Sequence, residues 1–189
     1  MKYRPLMKGF TLFELVTVIA VLSIIVLIST PFFSSLLKKN EAYQLPHSLK
    51  PILAQARNQA YSLHQAVAVC GSMDGQSCDN HWNSGILIFL DYNQNRALDP
   101  NESILNYHPL GIKYGLLTWR GAGRSRSNVL LFEPQRGRLN MSNGSFWYCA
   151  EQPKWHRLVI LSSMGHVRES KDNNGDGIHE TAAGINISC

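Results

Sequence analysis

Apolar and polar positions divide the chain into stretches of different period. No charged residue occurs from Leu15 to Leu37. At a rise of about 1.5 Å per residue, that run is long enough for one membrane-spanning helix. Lys38-Lys39-Asn40-Glu41 then marks an exit into water. Leu49, Ile52, Leu53, Ala56, Ala60 and Leu63 recur at helical spacing, predicting an amphipathic helix from about Ser48 to His64 with this stripe in the core. Pro46 and Pro51 sit near its start, where proline is tolerated, and can also break a longer helix in two. From Gln65 onward short apolar runs alternate with Gly and Asn turns: AVAVC, GILIFL, ILNYH, YGLLTW, NVLLF, GSFWYC, RLVIL and GHVRES. These predict antiparallel strands and an α+β domain, a helix packed on an antiparallel sheet.

Charge adds a direction to this pattern. Of the formal +5, three charges lie in Lys2, Arg4 and Lys8, ahead of the apolar run. A basic flank there predicts a cytoplasmic N-terminus and an exported C-terminal head. Hydrophobic content of 44% with 16% charged residues excludes a disordered chain and a polytopic membrane protein. In an exported head, the four cysteines Cys70, Cys78, Cys149 and Cys189 read as two disulfides. Three pairings are open. Cys70 with Cys78 closes a short loop across Gly71 and Gly75, which leaves Cys149 with Cys189 to tie down the C-terminus. Neither a catalytic constellation, an HExxH helix, a GxSxG elbow nor a phosphate loop occurs, so the chain does not read as an enzyme.

Glu14 separates the readings of the N-terminus. A carboxylate inside a spanning helix costs roughly 2.5–3.5 kcal/mol on insertion scales, so a plain signal anchor has no use for it. A secretory signal would show a small-residue cleavage site after the apolar core, where STPFFSSLLKKN stands instead. Cleavage between Gly9 and Phe10 would create an α-amine one helical turn before Glu14. The run Lys8-Gly9-Phe10-Thr11-Leu12-Phe13-Glu14-Leu15 resembles the class III leader junction of type IV pilins and type II secretion pseudopilins. The resemblance implies cleavage after Gly9 by a prepilin peptidase, methylation of the Phe10 amine, and docking into a filament in which Glu14 pairs with a neighbouring N-terminus. Pro31 falls where pilins often carry a helix-kinking proline. The fold implied is that of a pilin, one long N-terminal helix with a membrane-spanning first half and an amphipathic second half, packed on an antiparallel head. Its domains are a leader at 1–9, a transmembrane and filament-core helix at 10–37, and a periplasmic pilin head at 38–189 that holds helix 48–64 and the strands.

Further along, ARNQAYSLHQAVAVC, WNSGILIFLD, GSFWYC and RLVILSSMGHVR are similar to the FimT/FimU and pseudopilin H group of minor pilins. That implies an inner-membrane, single-pass minor pilin of a type IV pilus, with the head near the filament tip. Its partners would be other minor and major pilins. Two alternatives stay open: a DNA-binding minor pilin for DNA uptake, and the type II secretion pseudopilin H.

Three stretches of the head carry candidate chemistry. Asp91, Asn93, Asn95, Asp99 and Glu102 follow the ligand spacing of a calcium loop, with Arg96 where the turn wants glycine; a polar hairpin turn uses the same residue types. Asp172, Asn174, Asp176 and Glu180 start a similar pattern, but Ala183 replaces the closing carboxylate, so it reads as an exposed turn. Residues 111–171 hold ten Lys and Arg against three Glu. Within them Arg120, Arg124, Arg126, Arg136, Arg138, Lys154, Arg157, Arg168 and Lys171 are interleaved with Trp119, Trp147 and Trp155, a composition that can engage the phosphates and bases of double-stranded DNA. FimT-like proteins implicated in DNA uptake carry a G-R-x-R motif; here the residues are Gly165-His166-Val167-Arg168, with His166 in place of the first arginine. The alternative is a solvated basic face with its tryptophans in the core.

Overall fold

A computed structural model describes residues 9–121, 128–140 and 143–189, with the backbone alone for 28–31. Helix α1 spans Leu12–Leu63 without interruption. The amphipathic stretch from about Ser48 to His64 is the second half of this one long helix, as expected; the break that the prolines could have made is not there, since Pro31, Pro46 and Pro51 all lie inside α1. A proline removes one i→i−4 hydrogen bond and crowds the preceding turn. Buried apolar residues flank Pro46 and Pro51 on both sides and hold this part of the helix against the sheets. Ala42 and Leu45, ahead of the predicted stripe, are buried together with Leu49, Ile52, Leu53, Ala56 and Ala60. Leu63, assigned to the same stripe, is exposed. It is the last helical residue, and His64 follows at φ 53°, the left-handed conformation that ends a helix.

The chain divides into two compact units between Leu37 and Lys38. In the first, every described side chain from Phe10 to Leu27 is exposed, most of them apolar. By length and composition this part of α1 can cross a membrane.

Among its described residues the second unit holds eight strands: β1 (Val67–Gly71), β2 (Gly85–Leu90), β3 (Ile104–Pro109), β4 (Gly115–Gly121), β5 (Leu130–Phe132), β6 (Gly144–Ala150), β7 (Arg157–Leu161) and β8 (Val167–Glu169). They form two sheets, ordered β3-β2-β1-β5 and β4-β6-β7-β8, and every pairing is antiparallel. One core joins both sheets to the helix stripe. Val67, Val69, Ile86 and Ile88 of the first sheet meet Leu117, Trp119, Phe146 and Val159 of the second there. Phe146 sits between Trp82 and Trp119, with ring centroids 5.0 and 4.8 Å away. The other face of the first sheet is also covered: Ala68, Cys70, Leu87 and Phe89 cluster with Val129 and Leu131. That two-sided burial is why β1 and β2 read as continuous apolar runs.

Side chains seal the outer edge of β4. Asn83 Nδ2 donates to the Gly115 carbonyl at 2.9 Å, and its Oδ1 accepts the Leu117 N–H at 2.7 Å. A carboxamide thus stands where another strand could pair. Just ahead, Glu41 of α1 accepts the N–H groups of Lys113 and Tyr114 at 2.9 and 3.0 Å.

Candidate functional site

The start of α1 is built by its own side chains. Glu14 N–H donates to Thr11 Oγ1 at 3.2 Å, and Thr11 N–H donates to Glu14 Oε2 at 3.4 Å. This reciprocal pair is a capping box, Thr-x-x-Glu, which satisfies two of the amides that a helix start leaves open. A carboxylate in the first turn also faces the positive end of the helix dipole. The resemblance gives Glu14 a partner in a neighbouring subunit; within the chain its partner is Thr11, which the three-residue spacing already signalled. Phe10 is 83% exposed, and a side chain added at Gly9 would meet nothing within 4 Å. The Gly9–Phe10 bond is thus open to approach, next to a fixed carboxylate in an otherwise uncharged apolar run.

The basic candidates separate into distinct places. Arg124 and Arg126 lie outside the described residues. Arg157 is corrected as a candidate: it is 1% exposed. Its guanidinium donates to the Lys154 and His156 carbonyls at 2.9 and 2.8 Å and lies 4.5 Å from the centre of the Tyr43 ring. Arg157 opens β7 on the inward face, so alternation along the strand turns it into the core. Trp119 and Trp155 are core residues as well, unavailable for stacking on bases. Trp147 is half-buried and carries Arg120 over its ring at 4.2 Å. Arg120, Ser145, Ile160 and Arg168 are successive cross-strand partners, so the two arginines share one face at opposite edges of the sheet. Arg168 and Lys171 line a hollow of about 300 Å³ there. Lys154 stands 5.4 Å from the Trp155 ring centre.

A second basic region forms where α1 meets the turn between β7 and β8. Arg136 and Arg138 are exposed on the turn after β5, and the Arg138 guanidinium reaches Met164 Sδ at 2.9 Å. His166 is exposed on the β7–β8 turn. Lys50 and Arg57 of α1 line one cleft with His166, and Arg57 packs against Gly137, between Arg136 and Arg138. The sequence reading missed Lys50 and Arg57, because a cation on the polar side of an amphipathic helix carries no local signal.

The acidic loops are closed by their own amides. Asp91 is fully buried and accepts the N–H groups of Asn95 and Arg96 at 3.1 and 2.9 Å. Glu102 accepts those of Tyr92 and Asp99, at 2.8 and 3.1 Å. The amides of Asn93 and Asn95 both donate to Asp99 at 2.9 Å. Arg96 takes φ 64°, the conformation a glycine would adopt at that position. In the second loop Asp172 accepts the amides of Gly175 and Gly177, and Glu180, 3% exposed, accepts those of Asn173 and Asn174. The Asn186 side chain, with the Ile178 amide, holds the Asp176 carboxyl below the usual range. Among the described residues, no group of three or more His, Cys, Asp or Glu is arranged to hold a metal ion.

Disulfides pair Cys70 with Cys78 and Cys149 with Cys189, the latter tying the C-terminus to β6. Under this C-terminal segment Ser170 Oγ accepts the Leu158 N–H at 3.0 Å and lies 3.0 Å from His179 Nδ1. Burial, and then the charge of Arg157, hold the His179 pKa below its ordinary 6.5. The folded head takes up that proton less readily than the unfolded chain. Its contribution to stability is therefore full above about pH 6.5 and is lost as pH falls through the depressed folded-state value. Thermal melting of the full-length chain in detergent is expected to lose more on acidification from about pH 7 to 5 than melting of His179→Gln. Equal losses in the two proteins would remove His179 from the account.

Comparison with known proteins adds the following. The family model described as type II transport protein GspH matches residues 48–165. The model described as the prokaryotic N-terminal methylation motif matches residues 4–30. No curated protein matches the chain. Two crystal forms of the type IV minor pilin FimU from Pseudomonas aeruginosa (strain PAO1) align with it. One is 22% identical with a TM-score of 0.48, covering 68% of this chain and 87% of that one. The other is 20% identical with a TM-score of 0.44, covering 67% and 90%.

Proposed function

The chain belongs to the family of the type II transport protein GspH, and from that premise we propose that it is a minor subunit of a type IV pilus. It is a minor pilin or pseudopilin, of the type IV pilus or type II secretion type, that carries the N-terminal methylation motif. The finer reading is that a prepilin peptidase removes residues 1–9 and the new amine of Phe10 is methylated. The helix then leaves the inner membrane to pack among other minor and major pilins, while the head stays on the periplasmic side and reaches the filament near its tip. One observation carries this reading. Glu14 stands fixed one turn from the accessible Gly9–Phe10 bond, in an apolar stretch with no other charge. Mass spectrometry of the chain co-expressed with a prepilin peptidase is expected to show an N-terminus at a methylated Phe10. A first residue beyond Leu27, as a signal peptidase would leave, would sink the proposal. Recovery of the chain from sheared pili, rather than only from secretion complexes, tests the pilus assignment.

A nucleic-acid-binding head is a second reading, favoured by Arg57, which lines a cleft with Lys50 and His166 and packs on Gly137 between the exposed Arg136 and Arg138. Gel shifts with double-stranded DNA over several salt concentrations test it, since phosphate contacts make binding weaken steeply with salt. No binding even at low salt would end this reading and leave the structural role intact.

A further inference from the structure

We infer that the cleft between α1 and the β7–β8 turn seats a phosphate of a nucleic-acid backbone, with Arg57 as its principal ligand. The inference rests on the second reading above and gives it a site. The cleft measures about 270 Å³ and is lined by Lys50, Arg57, Asn58 and His166, along with three uncharged residues. Among the described residues, no acidic side chain lines it.

Backbone glycines hold Arg57 in place. Gly137 and Gly165 take φ values of 56° and 76°, which side-chain-bearing residues rarely adopt. A Cβ at Gly137 would lie 2.8 Å from Arg57 Cγ. At Gly165 it would lie 2.7 Å from the Gly137 carbonyl oxygen and 3.1 Å from Arg57 Nε. The side chain therefore runs across two bare backbone segments that leave room for it and restrict where it can go. A guanidinium fixed this way has already lost much of the rotamer freedom that binding would otherwise remove.

Its nitrogens have no partner among the described residues. Other cations of the head do: Lys50 lies 3.6 Å from Glu169, Lys38 pairs with Glu151, and Arg157 donates to two carbonyls. Arg57 is thus a half-buried, positioned fork of N–H donors lining a cleft with no carboxylate among the described residues. That geometry matches the paired oxygens of a phosphate or a carboxylate. A backbone of many phosphates fits better than one acidic side chain, because Arg136 and Arg138 flank Gly137, which packs on Arg57, and continue the positive charge onto an exposed turn.

The test measures the affinity of the full-length chain in detergent for a short labelled DNA duplex, between about 50 and 200 mM salt. Arg57→Gln is expected to weaken binding about tenfold at the lowest salt and to make the log–log salt slope shallower by about 0.9, the value of one phosphate contact. Arg57→Lys should keep most of the slope while losing affinity, since it keeps the charge and loses the fork. Gly165→Ala should act in the same direction as Arg57→Gln. A general weakening of the fold would not remove one contact from the slope and return it with lysine. If the wild-type chain binds and Arg57→Gln leaves both affinity and slope unchanged, the site is wrong and the nucleic-acid reading stands. If the wild-type chain does not bind DNA, both fall. If polyglutamate displaces DNA more effectively than unlabelled duplex does, the cleft serves an acidic protein and the inference fails.

Discussion

Replacing Glu14 with alanine is expected to lower incorporation of the chain into filaments about a hundredfold, with the amount in the inner membrane unchanged or higher. The reason lies in which charge is left without a partner. In the membrane, a carboxylate near the end of the apolar run is costly, and the Thr11 amide satisfies only part of it. Alanine removes that cost, so the precursor should insert at least as well. In the proposed filament, the α-amine of a mature Phe10 would sit among apolar helices. With Glu14 gone, that ammonium has no counter-charge, and a lone cation in such surroundings costs roughly 2.5–3.5 kcal/mol, a factor of about a hundred. Glu14→Gln should behave nearly as badly, because an amide can accept a hydrogen bond but brings no negative charge. Thr11→Val gives a contrast: it removes the helix cap and leaves the carboxylate, so it should act more mildly, by about 0.5–2 kcal/mol at the helix start. Immunoblots of sheared filaments against membranes measure the partition. Wild-type incorporation of Glu14→Ala would refute the role given to this carboxylate.

What could be read before the structure follows from how local the cause is. The strands from β1 to β8 are local: each carries a short apolar run between turn residues, and two-sided burial of β1 and β2 strengthens the signal. The Thr11–Glu14 box is local too, a spacing of three residues. The start of the head's core helix was not legible, because Ala42 and Leu45 are separated from the main stripe by Pro46, and proline ordinarily argues against an uninterrupted helix. Arg157 was misread for a related reason. Its neighbours in sequence are cationic or aromatic, while the carbonyls and the Tyr43 ring that hold it become visible only once the chain is folded. Arg57 depends on glycines 80 and 108 positions later, so no window of sequence contains its site.

Glu41 is the sharpest instance of a distant cause, and it leads to the second large effect. Beside Lys38 and Lys39 it reads as part of a solvated exit from the membrane. In the folded head it accepts three hydrogen bonds from partners 72 to 107 residues away: the amides of Lys113 and Tyr114, and the Tyr148 hydroxyl at 2.8 Å. Glu41→Ala leaves all three donors without this acceptor. Tyr148 is the worst placed, since its ring is 1% exposed. Hydrogen bonds to charged groups contribute about 1.5–3 kcal/mol each, but Glu41 is only half-buried and water can replace part of the loss, so about 2–4 kcal/mol in all is expected. For a head of this size that lowers the melting temperature by about 5–15 °C. Tyr148→Phe should cost less, and the double variant less than the sum, because the two side chains share one bond. The same contact has an alkaline signature. Burial, and then the hydrogen bond to Glu41, push the Tyr148 pKa well above its ordinary 10.0. A phenol whose folded-state value is raised contributes fully below the unfolded value and is lost as pH rises through the folded one, so wild-type stability should fall above about pH 10. In Glu41→Ala that fall should be shallower, because one of the causes that keeps the phenol neutral is gone. Thermal melting of the full-length chain in detergent at neutral and alkaline pH measures both effects. A variant melting within about 2 °C of wild type at neutral pH would show that solvent, rather than Glu41, satisfies the edge of β4.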